Sequence, residues 1–145
     1  MSKDTFVGKK AHNFTLRSHM GEDITLGNVK NKNVVLVFYC ADDSPDCNEQ
    51  LGAFRDSIAE FQQVDAAVFG INDALIESHK KYAAKYKFNF SLLSDPGGKI
   101  GLRFGAWHKG SMKRTVVILD KDRVIRYHKY GAPSAAELVE TVKGM

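Results

Sequence analysis

The sequence contains only two cysteines, Cys40 and Cys47, in 145 residues, so a secreted scaffold held together by many disulfides is excluded. It has no Cys-x-x-Cys pair, which argues against a protein of the dithiol–disulfide exchange class. The five histidines are dispersed and no second cysteine pair is present, so no recognised zinc pattern appears. We therefore expect no metal and no cofactor, and we expect any chemistry to come from the thiols.

Long apolar runs are also missing. No run approaches the length of about 20 residues that a membrane-spanning helix requires, and the first ten residues, MSKDTFVGKK, lack the apolar core of a signal peptide. We therefore expect a cytoplasmic protein in a reducing compartment, with no membrane partner. The formal net charge is +4, but the basic residues are scattered, so we expect no nucleic-acid partner. The length predicts a single domain over residues 1–145.

One stretch, Val34–Asp56, combines a predicted buried strand with a predicted helix start. Val34–Tyr39 is a run of β-branched and aromatic residues of strand length. Ser44 suits a helix N-cap and Pro45 suits the first helical position. Cys47 then falls in the first turn, where unpaired N–H groups and the positive end of the helix dipole favour a thiolate. Apolar residues continue the helix at its spacing: Leu51, Phe54, Ile58 and Phe61.

The rest of the chain alternates between predicted strands and predicted helices. Further strands are predicted at residues 11–16, 24–26, 66–71, 115–119 and 123–127, the last two as a hairpin. Further helices are predicted after Asn72 or Asp73 as the cap, after Asp95 and Pro96, and after Ser134, which opens a capping box with Glu137. This alternation predicts an α/β fold with helices on both faces of a sheet.

The residues around Cys47 resemble the active-site region of the peroxiredoxins. The resemblance is to the AhpC/TSA type and above all to the bacterioferritin-comigratory-protein (PrxQ) subfamily, and it runs from about Val7 to Tyr130. It implies a thioredoxin-like fold, with a central mixed β-sheet flanked by helices. It also implies a thiol-dependent peroxidase that reduces hydrogen peroxide and organic hydroperoxides. The matching positions are Phe38-Tyr39, Asp42-Asp43-Ser44-Pro45, Cys47, Gln50 and Phe54-Arg55-Asp56.

The resemblance assigns roles to three residues. Cys47 is the expected peroxidatic nucleophile, which attacks the peroxide and becomes a sulfenic acid. Ser44 is expected to place its hydroxyl beside the sulfur. Arg114, just before the strand at 115–119, is the expected cation, and lysine would be a poor substitute because arginine offers a fork of donors.

How the sulfenic acid is resolved stays open at this point. Many relatives carry a second cysteine five residues after the first, where this chain has Gly52. Cys40 occupies the position of a family proline. It is either the resolving cysteine, forming an intramolecular disulfide with Cys47, or a small apolar replacement for the proline. In the second case an external thiol reduces Cys47 directly.

The expected partners follow from the same resemblance. The reductant is thioredoxin, glutaredoxin or a small thiol, and the protein is expected to be a monomer or a weak dimer. The alternative function is a non-catalytic redox-sensing or binding module on the same fold. Such a module would be expected to lack the nucleophile, the serine or the arginine, whereas Cys47, Ser44 and Arg114 are all present.

Overall fold

The computed structural model describes residues 5–145. Residues 1–4 lie outside the described residues. They are the first part of the ten-residue stretch in which no signal peptide was predicted. Nine strands are present in this part of the chain: β1 Thr15–Ser18, β2 Asp23–Thr25, β3 Asn33–Phe38, β4 Ala66–Asn72, β5 Ser91–Ser94, β6 Trp107–His108, β7 Ser111–Met112, β8 Thr115–Leu119 and β9 Ile125–Tyr130. The five α-helices are α1 Pro45–Asp56, α2 Ile58–Gln63, α3 Ile76–Tyr86, α4 Lys99–Arg103 and α5 Ala135–Lys143.

Seven strands form one mixed sheet in the order β2-β1-β5-β4-β3-β8-β9. Strand β3 lies near its centre and pairs parallel with β4 and antiparallel with β8. All six residues of β3 are buried, and the five that follow Asn33 form an apolar run, as a strand covered on both faces requires. The predicted hairpin is confirmed as the antiparallel pair β8 and β9. The mixed sheet flanked by helices agrees with the expected fold class.

The alternation of side chains along β3 divides the interior into two apolar cores. Val35, Val37 and Tyr39 face one core, which also contains Cys47 and the buried side chains of α2, α3 and α5. Val34, Leu36 and Phe38 face the other core, which contains the buried side chains of α4 and β1. Cys47 therefore lies inside the first core, at the end of the central strand.

The element boundaries differ from the predictions in two places. The helix predicted as one piece is divided at Ser57, which lies outside the helical region at φ −108° and ψ 11° and separates α1 from α2. Neither Asn72 nor Asp73 caps α3, because that helix begins later, after Leu75. The side chain of Asn72 instead accepts a hydrogen bond from the backbone N–H of Ala74.

Ser134 is the N-cap of α5, as predicted, and Asp95 is the N-cap of the short 3₁₀ turn Pro96–Gly98 that leads into α4, whose own N-cap is Gly98. The hydroxyl of Ser134 accepts a hydrogen bond from the backbone N–H of Glu137 and so opens α5. The carboxylate of Asp95 accepts from the N–H groups of Ile100 and Gly101 at the start of α4. Among residues 5–145, no helix is both long and apolar enough to cross a membrane.

Candidate active site: two cysteines at the start of α1

Cys47 is the third residue of α1 and is fully buried, at 0% exposure. Ser44 has the extended backbone of an N-cap, with φ −83° and ψ 135°, and Pro45 follows at the first helical position, as predicted. The first helical hydrogen bond runs from the N–H of Asn48 to the carbonyl of Ser44. Cys47 precedes that bond, so its sulfur lies at the positive end of the helix dipole.

Cys40 lies just beyond the end of β3, and its sulfur is 3.3 Å from that of Cys47. Cys40 is the exposed member of the pair and Cys47 the buried one, and both are free thiols. Burial of its sulfur and the hydrogen bond to Cys47 raise the pKa of the Cys40 thiol, whereas a hydrogen bond with Ser44 lowers it less. The Cys40 thiol therefore keeps its proton more readily than an ordinary cysteine does.

The hydroxyl of Ser44 faces the thiol of Cys40, with which it forms that hydrogen bond. Within the described chain the Ser44 side chain makes no capping hydrogen bond to α1. The Ser44 hydroxyl is therefore available to hydrogen-bond with the thiol of Cys40.

Arg114 lies between β7 and β8 and reaches the first two turns of α1. Its Nε donates to Oε1 of Gln50 at 3.2 Å, and its Nη2 donates to the backbone carbonyl of Asp46 at 3.3 Å. The carbonyl of Arg114 accepts from the N–H of Gly131, which ties its backbone to the end of β9. The structure thus brings the guanidinium to the helix that carries Cys47, from a position far along the chain.

Gln50, the side-chain partner of Arg114, is buried. It is 6% exposed, and its Nε2 atom has no hydrogen-bond partner among the described residues. A cavity of about 250 Å³ adjoins Gln50, Arg114 and the start of α5 at Ser134 and Ala135. The carbonyl oxygen of Gln50 fixes the direction of the guanidinium, and its amide N–H₂ remains a free donor beside the cavity.

A polar network in the β3–α1 loop was not predicted. The carboxylate of Asp42 accepts from the hydroxyls of Tyr39 and Ser78, from the amide of Asn72 and from Nδ1 of His79. His79 is 0% exposed. The sequence places His79 on the buried side of α3. A histidine at such a position, beside Ser78, was the only sequence feature that could have indicated a buried hydrogen-bond acceptor such as Asp42.

A second network joins the next loop residue to α1 and α3. Asp43 accepts from Lys85 at 2.7 Å, from the hydroxyl of Tyr86 at 2.6 Å and from the side chain of Asn48 at 3.1 Å. The hydrogen bonds of Lys85 and then Tyr86 lower the pKa of Asp43 to about 2. Asn48 also accepts from the hydroxyl of Tyr82 at 2.6 Å. The first turn of α1 is therefore tied to α3 directly beside Cys47.

The part of the chain that the structure describes contains no group of three or more His, Cys, Asp or Glu side chains arranged to hold a metal ion. A larger cavity of about 460 Å³ is lined instead by residues including Lys10, Lys30, Lys121 and Arg123. Arg123 is occupied there by the backbone carbonyls of Val29, Lys32 and Asp120. The residues that line this larger cavity are thus different from those that surround Cys40 and Cys47.

Comparison with protein families gives a match over most of the chain. The model of the AhpC/TSA family matches residues 7–128. A rice protein named "Peroxiredoxin Q, chloroplastic" (Oryza sativa subsp. japonica) is 42% identical over 123 residues, covering 83% of this chain. A protein of the same name from Arabidopsis thaliana is 40% identical over 126 residues, covering 82% of this chain. This chain spans 57% and 56% of the lengths of these two relatives.

Comparison with solved structures gives the same fold over nearly the whole length. The crystal structure of a peroxidoxin, BcpB, from Mycobacterium tuberculosis superposes with a TM-score of 0.89 at 28% identity, covering 98% of this chain and 99% of that one. A cysteine-to-serine variant of PrxQ from Xylella fastidiosa superposes with a TM-score of 0.91 at 22% identity, covering 99% and 98%. The seven-stranded sheet with its helices is thus the thioredoxin-like fold that was expected.

Proposed function

This chain belongs to the AhpC/TSA family, and on that premise we propose that it is a thiol-dependent peroxidase that reduces hydrogen peroxide and organic hydroperoxides through Cys47. The observation that carries the proposal is the 3.3 Å separation of the Cys40 and Cys47 sulfurs at the start of α1. A helix N-terminus and a neighbouring thiol donor both stabilise a thiolate at Cys47. Those are the conditions that a peroxide-attacking sulfur requires.

In the first step the Cys47 thiolate attacks the nearer oxygen of the peroxide. The S–O bond forms, the O–O bond breaks, and the leaving alkoxide or hydroxide takes a proton and departs as alcohol or water. Sulfur is oxidised by two electrons and the peroxide is reduced by two. Arg114 stabilises the charge that develops on the oxygens, and Gln50 and the carbonyl of Asp46 hold its guanidinium in place.

In the second step Cys40 resolves the sulfenic acid. Its sulfur attacks the Cys47 sulfur, the S–O bond breaks, and hydroxide leaves as water with the proton from Cys40. A disulfide bond is about 2.0 Å long, so sulfurs that start 3.3 Å apart need only a short approach. The family position for a second cysteine is Gly52, within α1, and it can contribute no thiol.

In the third step an external thiol reduces the disulfide. We expect it to attack Cys40, because that sulfur is exposed and Cys47 is buried. Cys47 leaves as the thiolate at the helix N-terminus, and the external thiol is left in a mixed disulfide with Cys40. A second external thiol, or the second cysteine of thioredoxin or glutaredoxin, then attacks the external sulfur of that mixed disulfide and releases the Cys40 thiol. The reductant proposed is thioredoxin, glutaredoxin or a small thiol, and the oligomeric state proposed is a monomer or weak dimer. The plant relatives are named chloroplastic, and a cytoplasmic location for this chain remains a prediction.

Direct reduction of Cys47 by an external thiol, with Cys40 only a packing residue, is the second candidate. It is disfavoured because Cys47 is fully buried whereas Cys40 is exposed and 3.3 Å away. The non-catalytic module is disfavoured because Ser44 and Cys40 lie at the start of α1 with Cys47, and Arg114 contacts that helix at Asp46 and Gln50.

The proposal is tested by intact mass and free-thiol count after one equivalent of hydrogen peroxide, on the wild type and on Cys40→Ser. We expect the wild type to lose two hydrogens and both thiols, and we expect the variant to gain one oxygen at Cys47. Gain of one oxygen in both proteins, with Cys40 still free, would assign reduction to an external thiol. No reaction in either protein would overturn the peroxidase proposal.

A further inference from the structure

Asp42 has an unusual number of partners for one carboxylate. Oδ1 accepts from the hydroxyl of Tyr39 at 2.7 Å and from the amide of Asn72 at 3.2 Å. Oδ2 accepts from the hydroxyl of Ser78 at 2.6 Å and from Nδ1 of His79 at 2.8 Å. These partners come from the end of β3, the end of β4 and the first turns of α3, so Asp42 joins three elements at one point.

The geometry also gives both ring nitrogens of His79 a partner. Its Nε2 is 3.0 Å from the carbonyl oxygen of Leu93, which can only accept, so Nε2 carries a hydrogen. Burial raises the pKa of Asp42, but the hydrogen bonds from His79 and Ser78 outweigh it and the pKa is lowered. Nδ1 of His79 faces the Asp42 carboxyl group, so both ring nitrogens of His79 have a partner.

His79 and Asp42 form a buried pair. The side chain of His79 is 0% exposed, and that of Asp42 is 8% exposed. The remaining polar neighbour is the hydroxyl of Tyr39, 3.4 Å from Nδ1. A buried polar group is unstable without its hydrogen-bond partner, so Asp42 and His79 hold each other in position.

Asp42 of this buried pair lies two residues from Cys40 along the loop. Tyr39, immediately before Cys40, is bound to Asp42 through its hydroxyl and to Ile71 through its backbone N–H. On the other side, Asp43 is bound to both α1 and α3. The loop backbone is thus restrained on both sides of the exposed cysteine.

We infer that Asp42 and His79 are positioning residues, which hold Cys40 within reach of Cys47 and so raise the effective concentration of one thiol at the other. Neither residue touches the reacting sulfurs. The advantage is that of a preorganised reaction, in which the two groups meet without a search. The consequence for peroxide turnover rests on the proposed function, but the effective concentration can be measured without it.

The test is the equilibrium of the Cys40–Cys47 disulfide with reduced and oxidised glutathione, measured on the full chain by thiol trapping and mass. We expect Asp42→Asn and His79→Gln each to lower the effective concentration about tenfold, which for a two-electron couple corresponds to about 30 mV. Ser78→Ala, which removes one hydrogen bond to the same carboxylate, is expected to lower it by a smaller factor. This variant keeps the inference testable if the other two fail to fold.

His128→Gln is the matched control. Nε2 of His128 also contacts a backbone carbonyl, that of Phe104 at 2.7 Å, but Phe104 belongs to the other core. We expect the control to leave the glutathione equilibrium unchanged. Folded Asp42 and His79 variants with the wild-type effective concentration would overturn the inference, as would a control that changes it equally.

Two further readouts separate positioning from general stability. In ¹H–¹⁵N spectra the ring signals of His79 should shift in Asp42→Asn, which alters the partner of Nδ1, and should keep their wild-type positions in His128→Gln. With peroxide, the Asp42 and His79 variants should form sulfenic acid at close to the wild-type rate but convert it to disulfide about tenfold more slowly. If the wild type forms the disulfide with glutathione but not with peroxide, the peroxidase proposal fails and the positioning inference stands.

Discussion

At the scale of single residues, the groups around Cys47 either donate hydrogen bonds in the proposed reaction or hold those donors in place. We propose that Cys40 donates to the Cys47 sulfur and that Arg114 donates to the peroxide oxygens. Gln50 supports Arg114 through its Oε1, and Ser44 supports Cys40 through its hydroxyl. Cys40 thus has two successive roles in the proposed cycle, as the thiol that donates to the Cys47 thiolate and then as the nucleophile that resolves the sulfenic acid.

Arg114→Lys tests the contribution of the guanidinium fork. An ammonium group has no planar fork, so it cannot contact both the Gln50 side chain and the Asp46 carbonyl while facing the peroxide. We expect the second-order rate constant for sulfenic acid formation to fall by about 10²-fold. The measurement is stopped-flow oxidation by hydrogen peroxide.

Arg17→Lys is the control for that variant. Arg17 forms an exposed ion pair with Asp23 at 3.0 Å on β1 and β2, and we expect its replacement to leave the rate unchanged. An Arg114→Lys rate equal to that of the wild type would show that a simple positive charge suffices at this position.

At the scale of elements, α1 is held at its beginning from two sides. Arg114 binds the carbonyl of Asp46, and Tyr82 and Tyr86 bind the side chain of Asn48. Because Cys40 lies outside this helix, the proposed disulfide requires no unwinding of α1. The helix can therefore be stabilised without interfering with the proposed cycle.

Gly52→Ala tests whether α1 can be stabilised without affecting the reaction of Cys47. A Cβ at Gly52 would find its nearest neighbour, Nη2 of Arg55, at 3.5 Å, an ordinary contact distance. Glycine inside a helix is less favourable than alanine by about 0.5–1 kcal/mol. We expect the free energy of unfolding in urea to rise by about that amount, with peroxide oxidation of Cys47 unchanged.

Gly70→Ala is the contrasting variant, in the central strand β4. A Cβ there would lie 2.8 Å from Cδ2 of Leu92 and 3.3 Å from Cε1 of Tyr39, both fully buried side chains. Overpacking of this kind destabilises a core by about 1–3 kcal/mol. A gain in stability for Gly70→Ala, or a loss for Gly52→Ala, would contradict the packing described for these elements.

At the scale of the whole molecule, several carboxylates with lowered pKa values hold the ends of strands and helices in place. The pKa values of Asp42, Asp43, Asp120 and Glu137 are all lower than their ordinary values. Asp42 joins the β3–α1 loop to α3, and Asp120 joins the β8–β9 turn to Arg126. Their contribution to stability therefore depends on pH.

The sign of the dependence follows from the direction of these shifts. A carboxyl group with a lowered pKa in the folded state stabilises the fold above its unfolded pKa of about 4, and this contribution is lost as the pH falls through the folded pKa. We expect the free energy of unfolding in urea to decrease between about pH 5 and pH 2, and to decrease less steeply in Asp42→Asn. Asp23→Asn, at an exposed surface pair, is the control. A wild-type stability that rises on acidification would contradict the prediction.

Local patterns accounted for much of the fold and for one residue of the site. The strand before Cys47, the helix start at Pro45, the β8–β9 hairpin and the Ser134 cap were all predicted, because each depends on neighbours within a few positions. The short β6–β7 hairpin was not predicted, because its two-residue strands have no measurable periodicity. The order of strands in the sheet also came from no local pattern, and the thioredoxin-like fold was expected only from the family resemblance.

The sequence by itself thus determined that Cys47 begins a helix after a buried strand, since capping residues and apolar periodicity act over one or two turns. Only the tertiary structure decided what surrounds that sulfur. Arg114 reaches α1 across 64 positions of sequence, and His79 reaches Asp42 across 37. The 3.3 Å between the two cysteine sulfurs likewise depends on how α1 packs against the end of β3. Such distances arise when separate elements close on a shared core, and no short window of sequence contains both sides of the contact.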